Sequence, residues 1–139
     1  MPRSRPELLF TLTRFAFRDK SVMLLTQGLG AQPFHKRIVV LVNEWTNSAA
    51  EMVANFAAEN RLAMIVGQKT RGNVLGAANF KAGGGYWLRL PVFGWFTSKG
   101  RSVEGNGVNP DVMVEISPDA LADGQDNQMT RAVDIVNGL

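Results

Sequence analysis

The chain has 139 residues, 45% of them hydrophobic, with 15 Lys and Arg against 12 Asp and Glu, one His and no Cys. That length supports one core and argues against two independent domains. The lack of cysteine excludes disulfide staples, thiol nucleophiles and cysteine-ligated zinc, and a single histidine makes no set for a protein-built metal site, so neither metal nor cofactor is expected.

The net charge of +3 is unevenly spread: residues 1–37 hold seven Lys and Arg against two acids, and residues 38–139 hold eight against ten. Residues 1–36 read as a basic, partly ordered N-terminal arm, and 37–139 as the folded part. The arm has the charge to touch an anionic surface, but it contains no nucleic-acid-binding motif and is read as solvated. Within it the spacing predicts a short amphipathic helix over 7–17 and a strand over 21–26. The apolar patch Leu8-Leu9-Phe10 is cut short by Arg14 and followed by no small-x-small site, unlike a signal peptide. No stretch has the apolar length of a membrane span.

Residues 38–42, Ile-Val-Val-Leu-Val, read as a buried strand that breaks into Asn43-Glu44-Trp45-Thr46-Asn47 and then Ser48-Ala49-Ala50-Glu51. This order places the Ser48 hydroxyl at a strand-to-helix joint, where backbone N–H groups point outward and can stabilise a developing oxyanion. Ser48 is therefore a candidate nucleophile. Ser48-x-x-Glu51 is also a capping box, the commoner use of this spacing, so spacing alone does not assign Ser48 to catalysis. A helix over 49–60 puts Met52, Val53, Phe56 and Ala57 on its core face. A second buried strand over 62–66 completes a unit that should form a right-handed parallel crossover. The turn Gly67-Gln68-Lys69-Thr70-Arg71-Gly72 has P-loop glycine spacing, but Asn73 and Val74 stand where Lys and Ser/Thr would bind phosphate and magnesium.

From residue 77 the pattern becomes β structure: strands over 78–81, 86–90 and 92–97, with Gly83-Gly84-Gly85 at the first turn. Tyr86, Trp87, Phe93, Trp95 and Phe96 are expected to pack in the core or an interface, the alternative being a groove for apolar side chains. A final strand is expected over 111–116 and a closing helix over 126–136, with Met129, Ala132, Val133 and Val136 on one side.

Four segments come in a fixed order: Val39-Val40-Leu41-Val42-Asn43, Ser48-Ala49-Ala50-Glu51, Ile65-Val66-Gly67-Gln68-Lys69-Thr70-Arg71-Gly72, and Val103-Glu104-Gly105-Asn106-Gly107-Val108-Asn109-Pro110-Asp111-Val112. This order resembles the C-terminal-processing (tail-specific) serine peptidases, a family that includes the core of tricorn protease and the retinoid-binding repeats of an interphotoreceptor protein. The resemblance runs over residues 37–114. It implies an α/β fold with a Clp protease/crotonase-like ββα core and an added β-hairpin region, here as an incomplete domain that looks like the C-terminal half of a catalytic domain. It implies Ser48 as nucleophile and the Ala49 N–H as half of the oxyanion hole. Thr70, Arg71, Gly72 and Asn73 would run beside the site and contact substrate backbone, a plain polar turn being the other reading.

Two departures matter. Asn73 occupies the place of the general-base lysine in one branch of the family, and Lys69 falls outside it. The tricorn-like branch uses an upstream histidine supported by a glutamate in a Glu-x-x-Gly-Val-x-Pro-Asp pattern, which maps onto Glu104. His35, the sole histidine, is not at that position. The resemblance therefore implies a serine-type endopeptidase acting on polypeptides, inactive alone, with a further copy or the upstream half of the same enzyme as partner. The alternative is a non-catalytic module of the same fold that binds peptides or apolar ligands. Members of the family are often periplasmic or secreted.

Overall fold

The computed structural model describes residues 36–97 and 99–138. The helix expected over 7–17, the strand over 21–26 and His35 lie outside the described residues. Among the described residues eight elements follow one another: β1 (Val39–Val42), α1 (Ala49–Glu59), β2 (Met64–Gly67), β3 (Gly76–Gly83), β4 (Tyr86–Phe93), β5 (Val112–Met113), α2 (Pro118–Ala122) and α3 (Asn127–Asn137). The fold is mixed α/β.

Strands β1 and β2 pair in parallel, Val39 opposite Met64 and Val42 opposite Gly67, with α1 as the crossover that parallel pairing requires. Strand β5 adds to the other edge of β2, so the sheet order is β1-β2-β5. Strand β2 starts later than expected because the chain is still closing α1: Leu62 N–H donates to Ala57 O. Strand β5 is much shorter than the expected 111–116. Side chains at the start of α3 take the next acceptors, Gln128 Nε2 donating to Val114 O and Asn127 Nδ2 to Glu115 O, both at 2.7 Å. Asp111 locks the join to β2 by exchanging two bonds with Ile65, its Oδ2 accepting the Ile65 N–H and its own N–H reaching Ile65 O, each at 2.8 Å.

The core cluster is Val42, Ala54, Ala57, Ile65, Val74, Val103 and Val108, with Val40, Met52, Ala58, Ala63 and Trp95 packed against it. Helix α1 therefore presents only part of the face expected of it: Met52 and Ala57 pack on the core, whereas Val53 and Phe56 do not. Its buried residues are Glu51, Ala54, Asn55 and Ala57, while Val53 and Phe56 are exposed. Small residues let the helix lie close to the sheet, and the bonds of Glu51 described below rotate it towards the loops.

Strands β3 and β4 form a separate antiparallel pair that continues through Pro91. Phe96 reaches only an isolated bridge to Ser102. Of the five aromatics expected in the core or an interface, Trp95 packs on the core, and Tyr86, Trp87, Phe93 and Phe96 are exposed on the single chain, so the core reading fails for these four. A two-stranded ribbon has no second layer of its own to bury them. Helix α2 was not anticipated, although its signals are present: Ser117 caps it, its side chain accepting the Ala120 N–H, and Pro118 opens its first turn. Helix α3 begins at the Asp126 cap and ends at Gly138 in the left-handed conformation. It lies along β1, where Val39, Leu41, Met129, Ala132, Val133 and Val136 line an open apolar cleft of about 320 Å³. Among the described residues no helix is long and apolar enough to cross a membrane.

Candidate active site

The joint between β1 and α1 is built by Asn43. Its side chain accepts the Trp45 N–H at 2.9 Å, its carbonyl accepts the Thr46 N–H at 3.0 Å, and its own N–H donates to Thr46 Oγ1 at 3.0 Å. Such a turn reverses the chain sharply after the strand and delivers Ser48 to the first turn of the helix.

Ser48 is exposed and has φ 54° and ψ −128°, a conformation that L-residues other than glycine rarely adopt and that costs roughly 1–3 kcal/mol. The surrounding bonds hold it there. Its N–H is shared between Asn73 O at 2.9 Å and Glu51 Oε2 at 3.1 Å, and its carbonyl accepts the N–H groups of Glu51 and Met52. Ser48 and Glu51 are placed as the two halves of a capping box, yet the well-formed bond is the glutamate's. The serine side chain faces the Glu51 N–H in the capping-box arrangement without forming a full cap hydrogen bond. The Ala49 N–H, next along the helix, has no acceptor among the described residues. A hydroxyl and an uncommitted amide thus stand together at the positive end of α1.

Glu51 is 0% exposed. Besides Ser48 N–H, its carboxylate accepts Thr70 Oγ1 at 2.5 Å, Gly72 N–H at 2.6 Å and Asn73 N–H at 2.8 Å. Four donors compensate the burial of one carboxylate and tie the Ser48 joint to the 70–73 turn. Thr70, 4% exposed, passes the connection on: its Oγ1 accepts the Val108 N–H at 2.7 Å, and its N–H donates to Val108 O at 3.1 Å. Gly107 lies against this contact with φ 65°, where an added Cβ would stand 2.3 Å from Thr70 O. Of the four turn residues expected beside the site, Thr70 and Gly72 are buried and hold the turn, while Arg71 and Asn73 face outward.

Glu104 arrives on the turn after Val103, where Gly105 N–H donates to Gly72 O and Asn106 and Gly107 N–H both return to Val103 O. Its Oε2 accepts the N–H groups of Val74 at 2.6 Å and Leu75 at 3.1 Å, and its Oε1 has no hydrogen bond among the described residues. One peptide unit, Asn73–Val74, therefore bridges the two sequence-derived candidates: its carbonyl accepts Ser48 N–H and its N–H reaches Glu104. From these contacts and standard bond lengths, Ser48 N and Glu104 Oε2 are no more than about 8 Å apart. Lys69 is exposed and bonds to nothing among the described residues. Among them, too, no group of three or more His, Asp or Glu side chains is arranged to hold a metal.

Glu51 is a tertiary anchor as well as a local cap, and the Asn73 backbone serves the site through both its carbonyl and its N–H. The available signal was the register between Ser48-x-x-Glu51 and the Thr70-x-Gly72 turn, which lets one acid serve both.

Comparison with known proteins gives the family. Peptidase family S41 matches residues 6–114, beginning upstream of the segment where the motifs are legible. The chain is 33% identical over 98 residues to a carboxy-terminal-processing protease of Bartonella bacilliformis, covering 70% of this chain and 23% of that protein. It is 31% identical over 101 residues to the tricorn protease of Thermoplasma volcanium, covering 71% and 10%. The crystal structure of the tricorn protease superposes with a TM-score of 0.67 at 26% identity, covering 92% of this chain and 13% of that one. A photosystem II D1 C-terminal processing protease gives 0.52 at 30% identity, covering 57% and 20%. The chain spans a quarter or less of the length of these relatives. With the family matched over most of its residues, the chain belongs to peptidase family S41.

Proposed function

We propose that residues 37–139 are the C-terminal part of a serine endopeptidase catalytic domain with a crotonase-like ββα core, preceded by a basic arm over 1–36. The observation that carries the reading is the exposed Ser48 held at φ 54° beside the uncommitted Ala49 N–H. In the reaction Ser48 Oγ attacks the scissile carbonyl of a polypeptide and gives its proton to a histidine. The carbonyl oxygen becomes an oxyanion facing the Ala49 N–H. The histidine then protonates the leaving amine, and water attacks the acyl-enzyme by the reverse route. Glu104, held through Oε2, turns its other oxygen to that histidine. The base comes from outside the described residues, supplied by the upstream half of the same enzyme or by a further copy, and the chain alone is inactive.

The second reading is a non-catalytic module binding peptides or apolar ligands. It is favoured by the Ser48 hydroxyl making no hydrogen bond to a basic side chain among the described residues. A fluorophosphonate probe separates the two. Labelling at Ser48 that vanishes in Ser48→Ala supports the peptidase, and no labelling with the upstream half supplied favours the module.

A further inference from the structure

Arg71 stands out in the 70–73 turn because its backbone is pinned and its donors are unused. The residues on either side are fixed: Thr70 Oγ1 and Gly72 N–H both donate to Glu51, Thr70 N–H donates to Val108 O, and Gly72 O accepts Gly105 N–H. The same Glu51 accepts Ser48 N–H, so Arg71 occupies a set position relative to the candidate nucleophile. Its guanidinium carbon lies 4.9 Å from the ring centroid of Trp45, which belongs to the loop leading into Ser48 and is 68% exposed.

A guanidinium held over an aromatic ring is attracted through its positive charge and keeps its five N–H donors available for a planar acceptor. None of those donors has an acceptor among the described residues, and Glu44, the chain neighbour of Trp45, is exposed and makes no ion pair with Arg71. Lys69, exposed one residue before Thr70, adds a second cation to the same turn. A fork oriented by an aromatic ring, with its hydrogen-bonding edge open, is suited to bidentate capture of a carboxylate, and ordering in advance lowers the entropy lost on binding.

We infer that Arg71, ordered on Trp45, is a subsite for a carboxylate of the bound polypeptide. This inference rests on Ser48 being the group that attacks the peptide bond. The carboxylate is either an acidic side chain or the polypeptide's own C-terminus, which share this chemistry.

The test uses the full chain carrying Ser48→Ala and three fluorescent peptides of one otherwise neutral sequence, compared by anisotropy. One ends in an amide and has no acid, one has an internal Glu and an amide end, and one has a free C-terminal carboxylate. The expected result is that at least one carboxylate peptide binds about tenfold or more tightly than the neutral amide, as a charge-assisted pair allows. The peptide that gains identifies the source. Arg71→Gln abolishes the preference, and Arg71→Lys and Trp45→Ala each reduce it. Equal affinities, no binding by any peptide, or a preference that survives Arg71→Gln overturns the inference. The assay needs no nucleophile, so its failure is distinct from a failure of Ser48 to label.

Discussion

Glu51 Oε2 accepts the backbone N–H of Ser48 at 3.1 Å, and the same buried carboxylate gathers Thr70, Gly72 and Asn73 from about twenty residues further along the chain. The candidate nucleophile is therefore held by a tertiary anchor. Removing that anchor should cost far more than removing a cap.

Glu51→Ala strands buried donors that nothing else can accept, and should destabilise the protein by about 3 kcal/mol or more. Glu51→Gln should cost less, because its amide oxygen keeps some of the bonds. Urea unfolding midpoints decide this; a loss below about 1 kcal/mol for Glu51→Ala would show the anchor to be dispensable.

Ser48→Gly should raise stability, by up to about 1 kcal/mol, because glycine adopts φ 54° without the side-chain penalty and the serine hydroxyl makes no full cap bond to lose. Ser48→Ala should be neutral to within about 0.5 kcal/mol. A side-chain cap would instead cost about 1 kcal/mol on truncation, so thermal melts of these two variants discriminate a cap from a group kept for chemistry.

Gly107→Ala should cost about 2–3 kcal/mol, since the new methyl meets the Thr70 carbonyl and the backbone is left-handed. Gly85→Ala, left-handed at the hairpin tip with nothing within 4 Å, should cost only about 1 kcal/mol. Similar losses at both positions, measured by denaturant unfolding, would mean that the approach of the 107–108 loop to Thr70 carries no weight.

Glu104→Gln should leave stability within about 1 kcal/mol, because the amide oxygen can still accept from Val74 and Leu75. With the upstream half supplied, it should slow probe labelling at Ser48 by about 100-fold or more, as expected when a carboxylate that orients a histidine loses its charge. An unchanged labelling rate would reduce Glu104 to a backbone clamp.

The β1–α1–β2 unit was legible because it is written locally. Five consecutive apolar residues over 38–42, a polar break and a helical run leave few alternatives, and Ser48 falls at the joint in any of them. The packed face of α1 was legible only in part. Hydrophobic spacing selected Met52, Val53, Phe56 and Ala57; Met52 and Ala57 do pack on the core, but the helix buries Ala54, Asn55 and a glutamate in place of Val53 and Phe56, because donors on other segments make burial of Glu51 tolerable. The β3–β4 aromatics depart from a core reading for the opposite reason: their composition suits burial, but among the described residues β3 and β4 pair with each other and with no third strand.

Residue order alone, then, was enough to locate the strand-to-helix joint, the exposed hydroxyl, the glycine turns and the likeness to a peptidase family, since each depends on neighbours within a few positions. The carboxylate that anchors Ser48, the peptide that links Ser48 to Glu104, and the ring that orders Arg71 join segments tens of residues apart. Those contacts arise from how the loops close over the ends of the strands, where burial turns a polar side chain into an obligatory hydrogen-bonding partner.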